Sequence, residues 1–198
     1  AAAAFGKIDG DNVVLVDGDN TVVVGPAQGD NPVSPYAKAL IEFAASIERF
    51  HARLEAAELS PKDIETALSG LKESAASPTF VGNIAALRAR LSIVEAEATE
   101  VVEKVRAERA AARAEALAAR EEIVKTAEAL AAKPVEKVHW KNDTAQMREL
   151  LDTWKTAQKS GARIGKEAEK ELWQRFTHAR SAFEKARKHH FAQLDKDN

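Results

Sequence analysis

Residues 81–132 read VGNIAALRARLSIVEAEATEVVEKVRAERAAARAEALAAREEIVKTAEALAA, the longest stretch of the chain without a helix-breaking residue. It contains no glycine after Gly82, and the next proline is Pro134. Apolar residues recur at alternating steps of four and three, as in a coiled-coil seam: Leu87, Leu91, Val94, Ala98, Val101 and Val105. This pattern predicts one helix of about 50 residues, roughly 75 Å long at 1.5 Å per residue. We therefore expect an elongated, mainly helical protein.

The second half of this helix is poorer in large apolar side chains. The apolar pattern resumes only weakly, at Ala110, Ala114, Leu117, Val124 and Ala131. Between 107 and 119, Leu117 is the only large apolar residue. We expect this surface either to stay in contact with water or to be covered by a partner.

Three short β-rich runs precede the helices. They are Phe5–Ile8, Val13–Val16 and Thr21–Val24, and Asp-Gly turns at 9–12 and 17–20 separate them. Because Asp-Gly is a strong hairpin signal, the sequence predicts a three-stranded antiparallel β-meander. The middle run is apolar on both faces, so we expect a further layer, such as a helix, to cover the sheet.

Serine-proline pairs and a glycine mark the limits of the other helices. Ser34-Pro35 and Ser60-Pro61 indicate helix starts, since serine is a good N-cap and proline is tolerated in the first turn. The predicted inward residues are Leu40, Ile41, Ala44, Ile47, His51 and Leu54 in the first helix, and Ile64, Ala67, Leu68 and Leu71 in the second. After Pro134, we expect Asp143 or Thr144 to cap a helix that ends at Ser160-Gly161. A last helix is predicted from about Lys166 to Leu194, packed antiparallel to it.

These elements predict three segments. We expect residues 1–33 to form the β-meander and a loop, and residues 34–132 to form a helical hairpin plus the long coiled-coil helix. Residues 133–198 are predicted to be a basic helical repeat with a Trp/Phe core. The chain starts with four alanines and no methionine, and it stops soon after a helical pattern. We therefore expect it to be part of a longer protein.

Charge is distributed unevenly along the chain. Residues 1–132 hold 14 Lys/Arg and 21 Asp/Glu, whereas residues 133–198 hold 15 and 10, with four of the five histidines. A basic half favours a polyanionic partner, or docking onto the acidic half. The absence of cysteine excludes disulfides and thiolate metal sites and fits a reducing compartment. No apolar run reaches the ~18 residues of a membrane span.

Segment 140–191 carries a pattern of aromatic and basic residues. Its members are Trp140, Leu150, Trp154-Lys155, Leu172-Trp173-x-Arg175-Phe176-x-x-Ala179-Arg180-x-Ala182-Phe183 and Arg187. The segment resembles the "domain of unknown function 349" repeat family, and Phe5-Gly6-Lys7-Ile8-Asp9 looks like the start of its actinobacterial multi-repeat members. The resemblance implies an all-helical repeat in a bacterial cytoplasmic protein, and it implies no catalytic residue. The loop 160–165, Ser-Gly-Ala-Arg-Ile-Gly, departs from the family's usual short glycine-containing loop.

Five aromatic residues are interpreted as the core of this repeat, because large aromatics at helical spacing dominate the burial of thin bundles. They are Trp140, Trp154, Trp173, Phe176 and Phe183.

Basic residues on and beside the last helix form the main binding candidate. They are Arg163, Lys166, Lys170, Arg180, Lys185, Arg187 and Lys188. Cations in a row on a helix can follow a phosphate backbone. Four glutamates interrupt the row, at 167, 169, 171 and 184, so an ordinary solvated helix face is the alternative. Packing beside the tryptophans is the alternative role for Arg175 and Arg180.

Motifs with metal-binding or catalytic spacing are incomplete. Glu48-x-x-His51 and Glu136-x-x-His139 have the spacing of di-iron bundles, but the second pair follows the break at Pro134 and no partner glutamates are evident. Ser69-x-x-Lys72 lacks the companion motifs of a Ser/Lys nucleophile pair. His189-His190 lacks a third ligand. We therefore expect no catalytic, cofactor-binding or metal site.

The sequence favours a non-enzymatic scaffold or adaptor that binds protein partners or self-associates through its long helices. The alternative is a nucleic-acid- or ribosome-associated factor that binds RNA or DNA through the basic C-terminal repeat. An enzyme ranks third, because a thin helical rod seldom has a polar pocket. We expect a cytoplasmic protein with no cofactor, no small-molecule substrate and no membrane contact.

Overall fold

The computed structural model describes residues 4–197. Three strands come first: β1 (Gly6–Asp9), β2 (Asn12–Asp17) and β3 (Asn20–Pro26). Five α-helices follow in this part of the chain: α1 (Ser34–Glu55), α2 (Pro61–Ala76), α3 (Ile84–Ala131), α4 (Trp140–Ser160) and α5 (Lys166–Asp197). The predicted fold class, mainly α with a three-stranded antiparallel sheet before long helices, is confirmed.

The chain forms two compact units that divide within α3. Unit 1 is Ala1–Arg106 and unit 2 is Ala107–Asn198. Each unit has its own cluster of buried apolar side chains. The segments predicted from the sequence, 1–33, 34–132 and 133–198, follow the order of the elements instead and remain a prediction of domain organisation.

The sheet is a meander with β2 in the middle. Its two turns lie at 9–12 and 17–20, as predicted. Gly10 and Gly18 take φ angles of 61° and 62°, which the tight Asp-Gly turns require. Val13, Val14 and Leu15 are each at most 3 % exposed, which confirms that other layers cover this strand.

The starts of α1 and α2 differ, although both follow a serine-proline pair. Ser60 is the N-cap of α2 and forms a capping box with Asp63, and hydrogen bonds from Ser60 hold the pKa of that carboxyl below its usual value. α1 instead has Val33 as its N-cap, without a side-chain hydrogen bond, and Ser34 already lies in the helix. The prediction of Ser34 as the N-cap was therefore wrong.

The core of unit 1 joins the sheet, α1, α2 and the first part of α3. Its buried members include Val13, Leu15, Ile47, Phe50, Leu54, Ile64, Leu87, Leu91, Val94, Ala98 and Val102. The inward prediction for Ile41 was wrong, since this side chain is 65 % exposed. Ile41 follows the half-buried Leu40 directly, which places it about 100° further round the helix. The seam residues 87–98 pack inside unit 1, and a coiled coil stays a prediction.

Unit 2 consists of the end of α3 together with α4 and α5. Its core contains Ile123, Val124, Ala127, Leu130, Met147, Trp154, Ile164, Leu172, Phe176, Ala179 and Phe183. The rings of Trp154 and Phe176 stack at 5.6 Å between centroids, and Trp140 lies 5.7 Å from Phe183. Because Trp140 precedes Trp154 whereas Phe183 follows Phe176, α4 and α5 pack antiparallel, as predicted.

The apolar pattern predicted for the second half of α3 is confirmed only in part, since Val124 is buried and Ala131 is half-buried. Ala110, Ala114 and Leu117 are exposed, and burial begins at Arg120 and Ile123. Alanine buries too little apolar surface to hold a helix against a neighbour, so an apolar pattern made mostly of alanines does not cause this part of α3 to pack.

The start of α4 also differs from the prediction. The helix begins at Trp140, with His139 as its N-cap, rather than at Asp143 or Thr144. Asp143 lies inside the first turn of α4 and still provides a hydrogen-bond acceptor at the helix start. Its carboxylate accepts a hydrogen bond from the His139 backbone amide at 3.1 Å. Lys133 also donates to this carboxylate, at 2.9 Å. No helix within residues 4–197 combines the length and apolar character needed to cross a membrane.

Candidate nucleic-acid interface

Three of the predicted basic residues line one open cleft of unit 2. Arg163, Lys166 and Lys170 surround a volume of about 530 Å³, which Gln158, Glu169 and Trp173 help to enclose. We call this the basic cleft. It lies where the loop 161–165 leads into α5, against the end of α4.

The loop before α5 is held in one conformation by contacts with α3. Ile164 is 1 % exposed and belongs to the core of unit 2. Arg113 donates a hydrogen bond from Nε to the Ile164 carbonyl at 3.2 Å. Gly165 has a φ of 97°, which L side chains rarely adopt, and a Cβ there would lie 2.7 Å from the Arg113 guanidinium. These contacts fix the backbone that presents Arg163 and Lys166.

The three cations of the basic cleft are not neutralised by acidic side chains. All three are exposed, and none of them takes part in an ion pair within the part of the chain that the structure describes. Surface cations without an ion-pair partner are available to attract an anion, the more strongly the lower the salt concentration.

The carboxylate that borders the cleft has partners of its own. Glu169 Oε1 accepts hydrogen bonds from Gln158 at 2.8 Å and from Arg120 at 3.3 Å. Arg120 is 2 % exposed, and its guanidinium lies 4.5 Å from the centre of the Trp154 ring. Because a buried cation compensates the charge of Glu169, the cleft stays net positive despite this glutamate.

The other predicted basic residues lie outside the cleft. Arg187 forms an ion pair with Glu184 at 3.4 Å. Arg180 packs against an aromatic ring, but this ring is that of Phe176, at 5.8 Å, rather than a tryptophan as the packing alternative had it. Lys185 and Lys188 are exposed. The seven predicted cations thus form two groups. Three of them line the basic cleft, and the other four lie further along α5.

Arg175 has a structural role on another side of α5. Its guanidinium donates to Glu128 at 3.0 Å through Nε and to Glu121 at 2.9 Å through Nη1. These hydrogen bonds raise the pKa of Arg175, and the bond from Arg175 lowers the pKa of Glu128. Arg175 therefore ties α5 to α3 rather than packing beside a tryptophan.

The five predicted core aromatics do not share one environment. Trp154, Phe176 and Phe183 are at most 2 % exposed, and Trp140 is half-buried. Trp173 departs from the predicted core role, because 39 % of its surface is exposed and it lines the basic cleft. The signal was present in the sequence: Trp173 follows the core residue Leu172 directly, and so points about 100° away from the core face.

The first Glu-x-x-His pair, Glu48 and His51, has a partner other than a metal ion. Arg90 donates to both carboxylate oxygens of Glu48, at 2.8 and 2.9 Å, which lowers the pKa of that carboxyl, and its Nη2 lies 3.1 Å from His51 Nδ1. A guanidinium between these two side chains opposes a second cation there. The second pair lies in a short 3-10 turn and at the start of α4. Residues 4–197 contain no group of three or more His, Cys, Asp or Glu that could hold a metal ion.

The remaining motifs also have ordinary contacts. Lys72 of the Ser69-x-x-Lys72 motif pairs with Glu95 at 2.5 Å. His190 stacks on Trp140 with 5.1 Å between ring centroids.

Comparison with known proteins supports the family resemblance. The sequence profile of the Domain of Unknown Function (DUF349) matches residues 86–162, which cover nearly all of α3 and α4. The matched range overlaps the segment predicted from the sequence at 140–162 and extends the likeness upstream, while α5 lies beyond it. No curated protein and no solved structure matches this chain. The chain thus resembles the DUF349 family over residues 86–162.

Proposed function

We propose that this chain is a non-enzymatic, nucleic-acid-binding protein whose basic cleft holds the phosphate backbone of RNA or DNA. The observation that carries the proposal is the grouping of Arg163, Lys166 and Lys170 around one open cleft, with no ion-pair partner for them among the residues that the structure describes. Lysine and arginine side chains that contact phosphates release condensed counterions, which yields affinity for any sequence.

The shape of the basic cleft supports the proposal that its ligand is a polymeric anion. The cleft is open rather than an enclosed pocket, and its three cations come from both the loop and the first two turns of α5. A cytoplasmic location, in keeping with the absence of cysteine, would give the protein access to both RNA and DNA, including ribosomal RNA. The proposal includes no chemical step, because the motifs with catalytic spacing have structural partners.

The test is binding of fluorescently labelled RNA and DNA oligonucleotides to the full chain, measured by anisotropy between about 50 and about 200 mM salt, the range over which phosphate contacts weaken strongly. The variant Lys166→Glu/Lys170→Glu is expected to lose binding. The matched control, Lys62→Glu/Lys104→Glu, changes two exposed lysines of unit 1 and is expected to bind like the native chain. Equal losses in both variants, or no binding by the native chain at low salt, would refute the proposal.

The second candidate is a scaffold or adaptor that self-associates through its helices. The observation in its favour is the exposed stretch 107–119 of α3, where Leu117 is 38 % exposed. It borders a groove whose lining includes Ala114, Ala118 and Leu172 together with the carboxylates of Glu121 and Glu171. Sedimentation velocity at increasing protein concentration tests it. A native dimer that Leu117→Glu dissociates would support self-association, and a monomer at every concentration would argue against it.

A further inference from the structure

Trp173 is a large aromatic side chain held at the surface of unit 2. Its ring lies 5.5 Å from that of Trp154 and 5.9 Å from that of Phe176, so buried aromatic neighbours support it. The neighbouring Trp154 is 1 % exposed, whereas Trp173 is 39 % exposed. An indole supported in this way loses little conformational freedom when a ligand contacts it.

The exposed part of Trp173 is accessible from two sides. On one side it borders the basic cleft. On the other it borders a shallow depression lined by Gln174, Thr177, His178 and Ser181. Trp173 therefore lines two openings of the surface of unit 2.

The cations of the basic cleft are spaced along α5 from this ring. Lys170 precedes Trp173 by three residues and Lys166 by seven, which puts them on one face, about 4.5 and 10.5 Å along the helix axis from Trp173. Long lysine side chains at these offsets can reach the phosphates that flank a base lying on the ring. Arg163 extends the row at the same end of the helix.

We propose that Trp173 is a stacking platform for an unpaired base, so that the ligand of the basic cleft is single-stranded nucleic acid. This inference rests on the proposed function and specifies the ligand of the same site. Every base has a π-face, and one base stacked on an aromatic side chain raises affinity by a factor of about 5 to 150. Duplex bases are already stacked on each other, so a duplex gains only the phosphate contacts.

The test compares single-stranded oligonucleotides of DNA and RNA with an abasic strand of the same length, which keeps the phosphates and lacks the bases. We expect the native full chain to bind the strands that carry bases about 5- to 150-fold more tightly than the abasic strand. Equal affinity for both would overturn the inference, even if binding depends on salt. Because this comparison needs no variant, it does not depend on the folding of any substitution.

Two variants test whether Trp173 causes the preference for strands that carry bases over the abasic strand. Trp173→Leu keeps an apolar side chain but removes the aromatic face, and it is expected to abolish the preference for strands that carry bases over the abasic strand. Trp173→Phe keeps an aromatic face and is expected to retain most of the preference. A preference that persists in Trp173→Leu would contradict the assignment.

Two further arms separate this inference from the proposed function. A polyglutamate peptide that binds as tightly as the oligonucleotides would indicate an acidic protein partner and overturn both. Base-independent, salt-dependent binding of every strand would overturn the stacking platform alone and leave the proposed function intact.

Discussion

The contrast between Trp154 and Trp173 is a sharp test of the division between core and surface in unit 2. Complete burial of a tryptophan removes ~150–250 Å² from water, worth about 4–6 kcal/mol at ~25 cal/mol per Å². Trp154, at 1 % exposed, fits this case, and Trp154→Ala is expected to cost about 3–5 kcal/mol, the range for large-to-small changes in a core. Its cost includes the lost contact with Arg120.

Trp173→Ala is expected to cost less. With 39 % of the residue exposed, only about three fifths of the transfer term applies, and water can fill the space that the ring leaves. The expected cost is about 2 kcal/mol, after allowing for the residual burial of apolar surface in the unfolded chain. The two variants should therefore differ by about 2 kcal/mol in the free energy of unfolding of unit 2.

Urea unfolding followed by tryptophan fluorescence measures this difference. The three tryptophans all lie in unit 2, so the signal reports that unit even if unit 1 unfolds separately. Each variant keeps two tryptophans as reporters, and Trp173→Phe serves as a control that should stay close to the native chain. Equal destabilisation by Trp154→Ala and Trp173→Ala would mean that Trp173 is a core residue and would refute the reasoning.

Two other predictions concern groups that the structure pairs. Because the hydrogen bond from Arg175 lowers the pKa of Glu128 in the folded chain, Glu128 stabilises unit 2 at pH values above the ordinary glutamate pKa of about 4.3. This contribution is lost as the pH falls through the lowered pKa. Urea midpoints measured from neutral to acidic pH should fall less steeply for Glu128→Gln than for the native chain, and identical profiles would contradict the pairing. Ser60→Ala removes the capping box of α2 and is expected to destabilise unit 1 by about 1 kcal/mol, whereas Ser60→Asn should retain most of the stability in thermal unfolding.

Local signals predicted much of the fold. The Asp-Gly pairs correctly predicted the turns of the β-meander, because Gly10 and Gly18 adopt the positive φ that such turns need. Ser60-Pro61 and Ser160-Gly161 marked helix limits that the structure confirms. These features depend on a few neighbouring residues, which is why sequence patterns reveal them.

Features that depend on tertiary contacts could not be predicted in the same way. Nothing local indicated that Arg120 would be buried over Trp154 and paired with Glu169, since these residues are distant in the chain. The candidate site depends on this contact, because it compensates Glu169, one of the four glutamates that argued against a basic surface. The exposure of Trp173 could be predicted from its position in the helix, directly after the core residue Leu172. Its place at a cleft with Arg163 could not, because that depends on the loop that α3 holds in position.

The salt dependence of oligonucleotide binding tests the central claim most directly. Each phosphate contact in a single strand contributes about −0.7 to the slope of log K against log salt concentration. Three cleft cations therefore predict a slope of about −2 for the native full chain, and about −0.7 for Lys166→Gln/Lys170→Gln. The same slope for both proteins, or binding that does not change with salt, would contradict the account.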